Sequence, residues 1–416
     1  MAIIELRHFS YTYPTGSHPA LNDIHLSLEA GERLGIVGMN GAGKSTLCLA
    51  LAGFIPHHFH GKAQGELWVA GSNLAQANRP PVAGKVGIVL QNSFSQISGA
   101  RATVAQEIAF GLENLGIERQ EMHARVAAIM DQLGIAHLAD RSPLALSGGQ
   151  QQQVAIASIL VMQPQVLVLD EPTSQLDPSS GEKIFHILEQ VSSQGITIVI
   201  AEHKVEWLAR YADRVIALAQ GKVIAQGTPR QVFAHALPTG SIPAPRYTRL
   251  AQQAAAKGIW PQELDLPITL EEASQGLAPA RPTPPAKDGA AAWPASSPHP
   301  AAEPGGAIEV ENLTFIYPNG TRALEQVSVQ VQPGERVAFL GHNGAGKTTL
   351  ARHLNGLLRP AAGTVRIGGQ PVGNRPIEQL AAQVGYAFQN PDDQIFDRTI
   401  AEDVCFGPTN LGFDKK

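Results

Sequence analysis

Gly38-Met39-Asn40-Gly41-Ala42-Gly43-Lys44-Ser45-Thr46 has the spacing G-x-x-x-x-G-K-[ST] and lies between two apolar runs, residues 34–37 and 47–51. That order predicts a buried parallel strand, a glycine-rich turn and a helix start, the context that gives the motif meaning. Glycines free the backbone to curl so that successive N–H groups face one hollow, and the helix N-terminus adds positive potential to it. Such a hollow suits a polyphosphate. Lys44 is expected to reach the outer phosphates as a point charge, and the Ser45 hydroxyl is expected to serve Mg²⁺.

The motif returns as Gly341-His342-Asn343-Gly344-Ala345-Gly346-Lys347-Thr348-Thr349, with Thr348 in the place of Ser45. Residues 337–340 read as the preceding buried strand and residues 350–354 as the helix start. The repeat begins earlier, because residues 3–14 (IIELRHFSYTYP) line up with residues 307–318 (AIEVENLTFIYP). A duplicated domain is therefore expected rather than a shared short motif. Tyr13 and Tyr317 end the aligned strands. They read either as core or hairpin residues or, given their fixed distance from each loop, as stacking platforms for adenine.

The chain has 416 residues, long enough for two or three domains, and 44% hydrophobic content supplies ample core. No run of about 18 apolar residues is present to span a membrane, and the N-terminus lacks a secretory pattern. Two cysteines, Cys48 and Cys405, make no disulfide framework and read as small core residues. A net charge of −5 gives no support for nucleic acid as a partner. These features point to the cytoplasm.

Residues 86–91 form a short apolar strand ending in Gln91, and residues 384–389 match it with Gln389. The repetition suggests a polar tip aimed at the nucleotide or its metal. Residues 103–138 have helical spacing broken at Gly116 and Gly134, as expected of an inserted helical subdomain. It ends at Ser147-Gly148-Gly149-Gln150, which taken alone could be only a helix cap. Residues 166–171 (VLVLDE) read as a buried strand ending in two acids. Asp170 is expected to hold Mg²⁺ through water or the Ser45 hydroxyl, and Glu171 to act as general base toward an attacking water. A similar strand, residues 196–201, leads to Glu202 and His203, the latter a donor for a γ-phosphate. His57, His58 and His60 invite a metal reading, but no cysteine or carboxylate completes a ligand set and Pro56 and Gly61 mark an exposed connection. The expected domains are 1–235, a weakly structured and then Ala/Pro-rich linker over 236–306, and 307–416.

The ordered set Tyr13, the loop 38–46, Gln91, LSGGQ at 146–150, VLVLDE, Ser174-Gln175-Leu176-Asp177 and His203 resembles the ATPase domains of ATP-binding cassette (ABC) transporters. The resemblance covers residues 1 to about 230 and implies an α/β P-loop NTPase fold. Its parts would be a RecA-like core, an antiparallel β-subdomain for adenine and a helical subdomain. It implies ATP with Mg²⁺ held between the phosphate loop of one domain and Ser147 to Gln150 of another, in cis or in trans. A narrower resemblance rests on FQNPDDQIF at 388–396, TIAEDVCFGPTNLG at 399–412 and its echo TVAQEIAFGLENLG at 103–116. It is similar to the fused double ATPase of energy-coupling-factor transporters, which take up vitamins, vitamin precursors, cobalt or nickel. The first copy departs from that pattern at residues 91–96, which lack the acidic pair, at Leu112 and at Gln153. The resemblance implies integral-membrane partners, a transmembrane coupling protein and a substrate-binding protein, and a place at the cytoplasmic face of the membrane. A soluble cassette ATPase of ribosome or DNA and a non-hydrolysing nucleotide-binding fragment are the rival readings.

The stretch separating Lys44 from Ser147 is longer than all that follows Lys347. The second copy is therefore expected to be incomplete, without signature, acidic strand end or histidine, and no composite site closes within one chain. A fragment, a degenerate natural protein and pairing of first domains from two chains all remain open as accounts. An exposed apolar sheet edge, with marginal stability, is expected in the second domain.

Overall fold

The computed structural model describes residues 2–75, 82–92, 96–174, 176–234, 242–277, 308–318, 320–341, 344–373, 375–388 and 394–413. The chain divides into two compact units, Met1–Thr283 and Pro284–Lys416. Unit 1 runs β1 (Ala2–Thr12), β2 (Leu21–Glu29), β3 (Arg33–Gly38), α1 (Lys44–Leu51), β4 (Lys62–Val69), β5 (Ser72–Asn73), β6 (Val86–Val89), α2 (Val104–Asn114), α3 (Arg119–Gln132) and α4 (Gly148–Leu160). It continues with β7 (Val166–Asp170), α5 (Pro178–Ser193), β8 (Thr197–Ala201), α6 (Val205–Tyr211), β9 (Arg214–Ala219), β10 (Lys222–Gly227), α7 (Pro229–Ala234), α8 (Arg246–Ala256) and α9 (Leu270–Leu277).

Two sheets organise unit 1. One is antiparallel, in the order β2-β1-β4-β5, and the other has the order β10-β9-β3-β8-β7-β6. In the second sheet β9, β3, β8, β7 and β6 are parallel neighbours and β10 closes one edge antiparallel. Strands β7 (VLVLD) and β8 (TIVIA) are buried at every position. Continuous apolar runs are what a strand covered on both faces requires. Alternation sorts the two faces. Leu167, Leu169, Ile198 and Ile200 join the helical core, whereas Val166, Val168, Val199 and Ala201 join a core shared with Ile4, Phe9 and Tyr11 of β1. Helices α2 and α3 and the start of α4 form the expected helical insertion, with Thr103 capping α2 through the Gln106 N–H.

Residues 242–277 hold more structure than the weakly helical stretch expected there. Helices α8 and α9 fall within unit 1, where Arg230 pairs with Glu272 and the Trp260 ring is buried against Gly276. The Ala/Pro stretch 278–306 lies outside the described residues.

Unit 2 runs β11 (Ile308–Ile316), β12 (Arg322–Val331), α10 (Lys347–Leu354), β13 (Ala362–Ile367), β14 (Gln370–Pro371), α11 (Ile377–Ala381) and α12 (Ile400–Asn410). Its sheet, β12-β11-β13-β14, repeats the order of the antiparallel sheet of unit 1. Two strand expectations fail. Residues 337–340 and 384–388 have no strand structure, and Leu340 is 92% exposed. In unit 1 the equivalent β3 is held by β8 and β9, and β6 by β7. Among the described residues of unit 2 those partner strands have no counterpart, and a strand without a ladder has no reason to persist.

Helix α12 tells the same story. It forms with Thr399 accepting from the Glu402 N–H, as Thr103 does for α2, yet none of its residues is buried. Val104 and Ile108 of α2 are fully buried, but Ile400 and Val404 at the matching positions are 85% and 68% exposed. Burying each such side chain is worth about 1.5–3 kcal/mol. Helix α2 obtains that by packing on α4, for which unit 2 has no equivalent among the described residues. For the same reason Cys405, expected in the core, is exposed, while Cys48 is buried with its thiol pushed well above the ordinary range by desolvation.

Candidate active site

At the C-terminal ends of β3, β7 and β8 a cavity of about 590 Å³ opens, lined by Ala20, Asn40, Gly41, Gly43, Lys44, Ser45, Thr46, Gln91, Glu171 and His203. Outer ends of parallel strands are where ligands bind in α/β sheets, and the volume is of ligand-pocket size. The loop from Gly38 turns tightly. A Cβ on Gly38 would stand 2.5 Å from the Leu218 carbonyl oxygen, and one on Gly43, at φ +105°, would stand 2.7 Å from that of Ala20. Both positions therefore admit only glycine. The Leu47 N–H donates to the Gly43 carbonyl at 2.9 Å. The amides of Lys44, Ser45 and Thr46 thus precede the first ladder bond at the positive end of α1.

Lys44 is buried, and its Nζ donates to the Gly38 carbonyl at 3.0 Å and reaches His203 Nε2 at 3.4 Å. Glu171 is held from two sides: Gln91 Nε2 donates to Oε2 at 2.7 Å, and His203 Nε2 lies 2.7 Å from Oε1. Glu171 has φ +51°, in the left-handed region, and its N–H donates to the Ala201 carbonyl at 2.8 Å. The turn after β7 and the turn after β8 are thereby tied together.

Asp170, the last residue of β7 and directly before Glu171, is 5% exposed, with Oδ1 lacking any hydrogen-bond partner. Burial raises its pKa, opposed by a hydrogen bond from Ser45. A buried carboxylate oxygen with nothing to bond, next to a hydroxyl at the phosphate loop, is the donor set a hard cation such as Mg²⁺ accepts. Ser45, Asp170 and Gln91 fit that ion.

Glu202, which sequence reasoning left without a role, is 1% exposed. Its Oε1 accepts from the His203 N–H at 3.0 Å and the Lys204 N–H at 3.2 Å, and its Oε2 from the Thr173 hydroxyl at 2.9 Å. Desolvation raises its pKa against those bonds. Glu202 fixes the turn that presents His203. The signal available was an acid directly after a fully buried strand.

Other expected residues lie apart from the cavity. The Tyr13 hydroxyl sits 3.3 Å from Thr46 Oγ1, with its ring edge-on to Tyr11 and Phe59. It stands beside the cavity without lining it. Ser147, Gly148, Gly149 and Gln150 do not line it either. Ser147 and Gln150 complete a reciprocal cap at the start of α4, and Ser147 and Gly148 are exposed. The cap reading is thus realised, and the loop of unit 1 does not meet its own signature. Asp177 caps α5, accepting from the Ser180 N–H at 3.1 Å and the Ser179 hydroxyl at 2.7 Å, which hold its pKa down. His57 bonds the Leu74 carbonyl at 2.7 Å, a structural contact.

Unit 2 repeats the cradle in part. Lys347 Nζ donates to the Gly341 carbonyl at 2.7 Å, and the Tyr317 hydroxyl lies 3.0 Å from Thr349 Oγ1. Gly346 caps α10 at φ +87°, as Gly43 caps α1. Gly344 takes a left-handed φ like Gly41, and Thr348 is exposed. Asn343, Gln389 and Gln175 lie outside the described residues.

The family model described as ABC transporter matches residues 21–174 and 324–414. A Methanosarcina acetivorans protein named as an ABC transporter ATP-binding protein is 34% identical over 422 residues, covering 99% of this chain and 68% of its own. One of the same description from Caldanaerobacter subterraneus is 36% identical over 406 residues, 94% of this chain and 68% of its own. Among solved structures, cbiO1 from Clostridium perfringens, described as part of the ABC transporter complex cbiONQ, is 32% identical. Its TM-score is 0.50, and the match covers 62% of this chain and 95% of that one. With the phosphate loop, the paired acids and the histidine assembled at one sheet end, these likenesses place the chain in the ABC transporter ATP-binding family, a family of ATPases.

Proposed function

We propose that this ATPase energises uptake through an energy-coupling-factor type transporter, docking on integral-membrane subunits from the cytoplasmic face. The observation that carries the catalytic part is the Glu171 carboxylate held between Gln91 and His203 at the mouth of the phosphate loop. Bound Mg²⁺ would neutralise phosphate charge. Lys44 and the α1 amides bind and orient the polyphosphate. Glu171 takes the proton from the water whose oxygen attacks the γ-phosphorus, ADP departs and phosphate is formed. His203 donates a hydrogen bond to the phosphoryl oxygen that gains charge, and Tyr13 supports adenine. Ser147 to Gln150 serve a phosphate loop other than that of unit 1, in cis or in trans.

The uptake part is supported by residues 388–396 and 399–412 and by the likeness to cbiO1, itself described as part of a transporter complex. Among the described residues no helix is long and apolar enough to cross a membrane, so transport requires partner proteins. Glu171→Gln in the assembled transporter is expected to keep ATP binding and slow hydrolysis by about 10²–10⁴. Unchanged hydrolysis would remove the role given to Glu171. Copurification with membrane subunits encoded nearby tests the uptake reading, and recovery with ribosomes or DNA instead would overturn it.

A further inference from the structure

On the antiparallel sheet of unit 1, two imidazoles converge on one carboxylate oxygen. His8 Nδ1 lies 2.9 Å and His25 Nε2 3.2 Å from Asp23 Oδ1, and all three donor atoms fall within 4.8 Å of one another. The rings meet edge-on at 4.1 Å, and the three side chains are 76%, 61% and 52% exposed for His8, Asp23 and His25. Among the described residues this is the one such group of metal-ligating side chains.

The backbone explains the convergence. Between Leu6 and Phe9 the register of β1 against β2 shifts, and His8 and Asp23 take φ of +50° and +54°. The bulge re-aims side chains that regular pairing would separate. The Asp23 N–H is pinned to Ser10 Oγ at 2.8 Å, which fixes the carboxylate's base.

Unit 2 supplies an internal control. The same bulge occurs between Val310 and Leu313 of β11, with Asn312 and Gln326 at φ of +48° and +49° and the Gln326 N–H on Thr314 Oγ1 at 3.0 Å. The positions of His8, Asp23 and His25 are filled there by Asn312, Gln326 and Ser328. The fold therefore builds this bulge without imidazole or carboxylate, and backbone geometry does not account for the His-Asp-His set.

The geometry points to a binding site for a first-row divalent transition metal, held by His8 Nδ1, Asp23 Oδ1 and His25 Nε2 and open to water on its outer side. Metal bonds of about 2.0–2.1 Å at tetrahedral angles put ligand atoms about 3.3 Å apart, close to the 2.9 and 3.2 Å between Asp23 Oδ1 and the two imidazole nitrogens. Two neutral imidazoles and one carboxylate suit Zn²⁺, Ni²⁺ or Cu²⁺. Mg²⁺, which prefers oxygen ligands in an octahedron, is a poor competitor. The site lies on the β-sheet and uses none of the residues that line the phosphate cavity. The ion would clamp β1 to β2.

The test is Zn²⁺ binding to the full chain by calorimetry in excess Mg²⁺, comparing the parent with the triple variant H8N/D23Q/H25S. That variant carries the residues of the unit 2 bulge, so it keeps the fold, and ATP affinity measured in parallel reports this. Expected is saturable binding in the parent, weakened at least about tenfold in the variant, with a Zn²⁺-dependent rise in unfolding temperature only in the parent. Exchanging His57, His58 and His60 for Asn is expected to leave the isotherm as it is. The inference fails if the parent shows no saturable Zn²⁺ binding, or if the triple variant binds like the parent.

Discussion

His203 Nε2 stands 2.7 Å from Glu171 Oε1, although the two residues follow different strands, β8 and β7. On the proposed mechanism, this contact would couple the proton acceptor Glu171 to the γ-phosphate donor His203. His203→Ala is expected to leave ATP affinity nearly unchanged and to lower kcat by about 10²–10³, the usual cost of removing a donor to developing negative charge. Single-turnover hydrolysis in the assembled transporter reads this directly, and a kcat equal to the parent's would contradict it.

Glu202 acts through His203 rather than on substrate. Glu202→Ala strands the buried Thr173 hydroxyl, at a cost of about 1–3 kcal/mol, and removes the acceptor of the part-buried His203 and Lys204 amides. The unfolding temperature should fall together with kcat. Glu202→Gln, which keeps a carbonyl oxygen for the two amides, should restore much of both. Equal damage from the two variants would mean that the charge, not the acceptor, matters.

Tyr13 offers a ring beside the cavity while its hydroxyl bonds Thr46 at 3.3 Å. If the ring carries adenine, Tyr13→Ala should weaken ATP binding by about 5- to 150-fold, from about 1–3 kcal/mol of stacking. Tyr13→Phe should stay near the parent. Fluorescent-nucleotide titration separates the two, and similar affinities for the Ala and Phe variants would exclude stacking.

The Arg33 guanidinium donates to Asp213 Oδ2 at 3.0 Å and holds that carboxyl below its ordinary range. The folded state then binds this proton more weakly than the unfolded chain. Its stabilisation is complete above the unfolded pKa of about 3.9 and disappears as pH falls through the lower folded value. The unfolding temperatures of the parent and of Asp213→Asn should therefore differ at neutral pH and approach each other below about pH 4. Curves that stay parallel into acid would refute the linkage. Asp170 and Glu202, raised by burial, act with the opposite sign, so their protonation favours the folded state in acid.

Much of the site was legible because its chemistry is written in contiguous residues: Gly38 to Thr46, Asp170 with Glu171, and His203 after a second buried strand. Residues 337–340 show the limit. An apolar run reports the capacity for burial, but a strand also needs a neighbour, and the neighbours of β3 come from distant parts of the chain. Helix α12 separates the two kinds of information, since its cap is local and formed while its packing partner is not local and is missing among the described residues. Glu202 and the His8, Asp23 and His25 group were overlooked because their roles depend on a turn and on a bulge register that no short window encodes. Polar composition marked the stretch up to Leu277 as only weakly helical, and the helices α8 and α9 that form there are anchored by Trp260 and the pairing of Arg230 with Glu272.

The left-handed backbone at Glu171 carries an implication of another kind. A non-glycine residue in that region gives up about 1–3 kcal/mol, and its carboxylate is buried as well. Glycine would relieve the backbone there. If Glu171 is the proton acceptor proposed above, its presence at that corner is a trade of robustness for turnover made at one residue. Proteins carrying a relaxed residue at this corner should be sturdier and silent, which gives a physical criterion for telling a working cassette from a retired one.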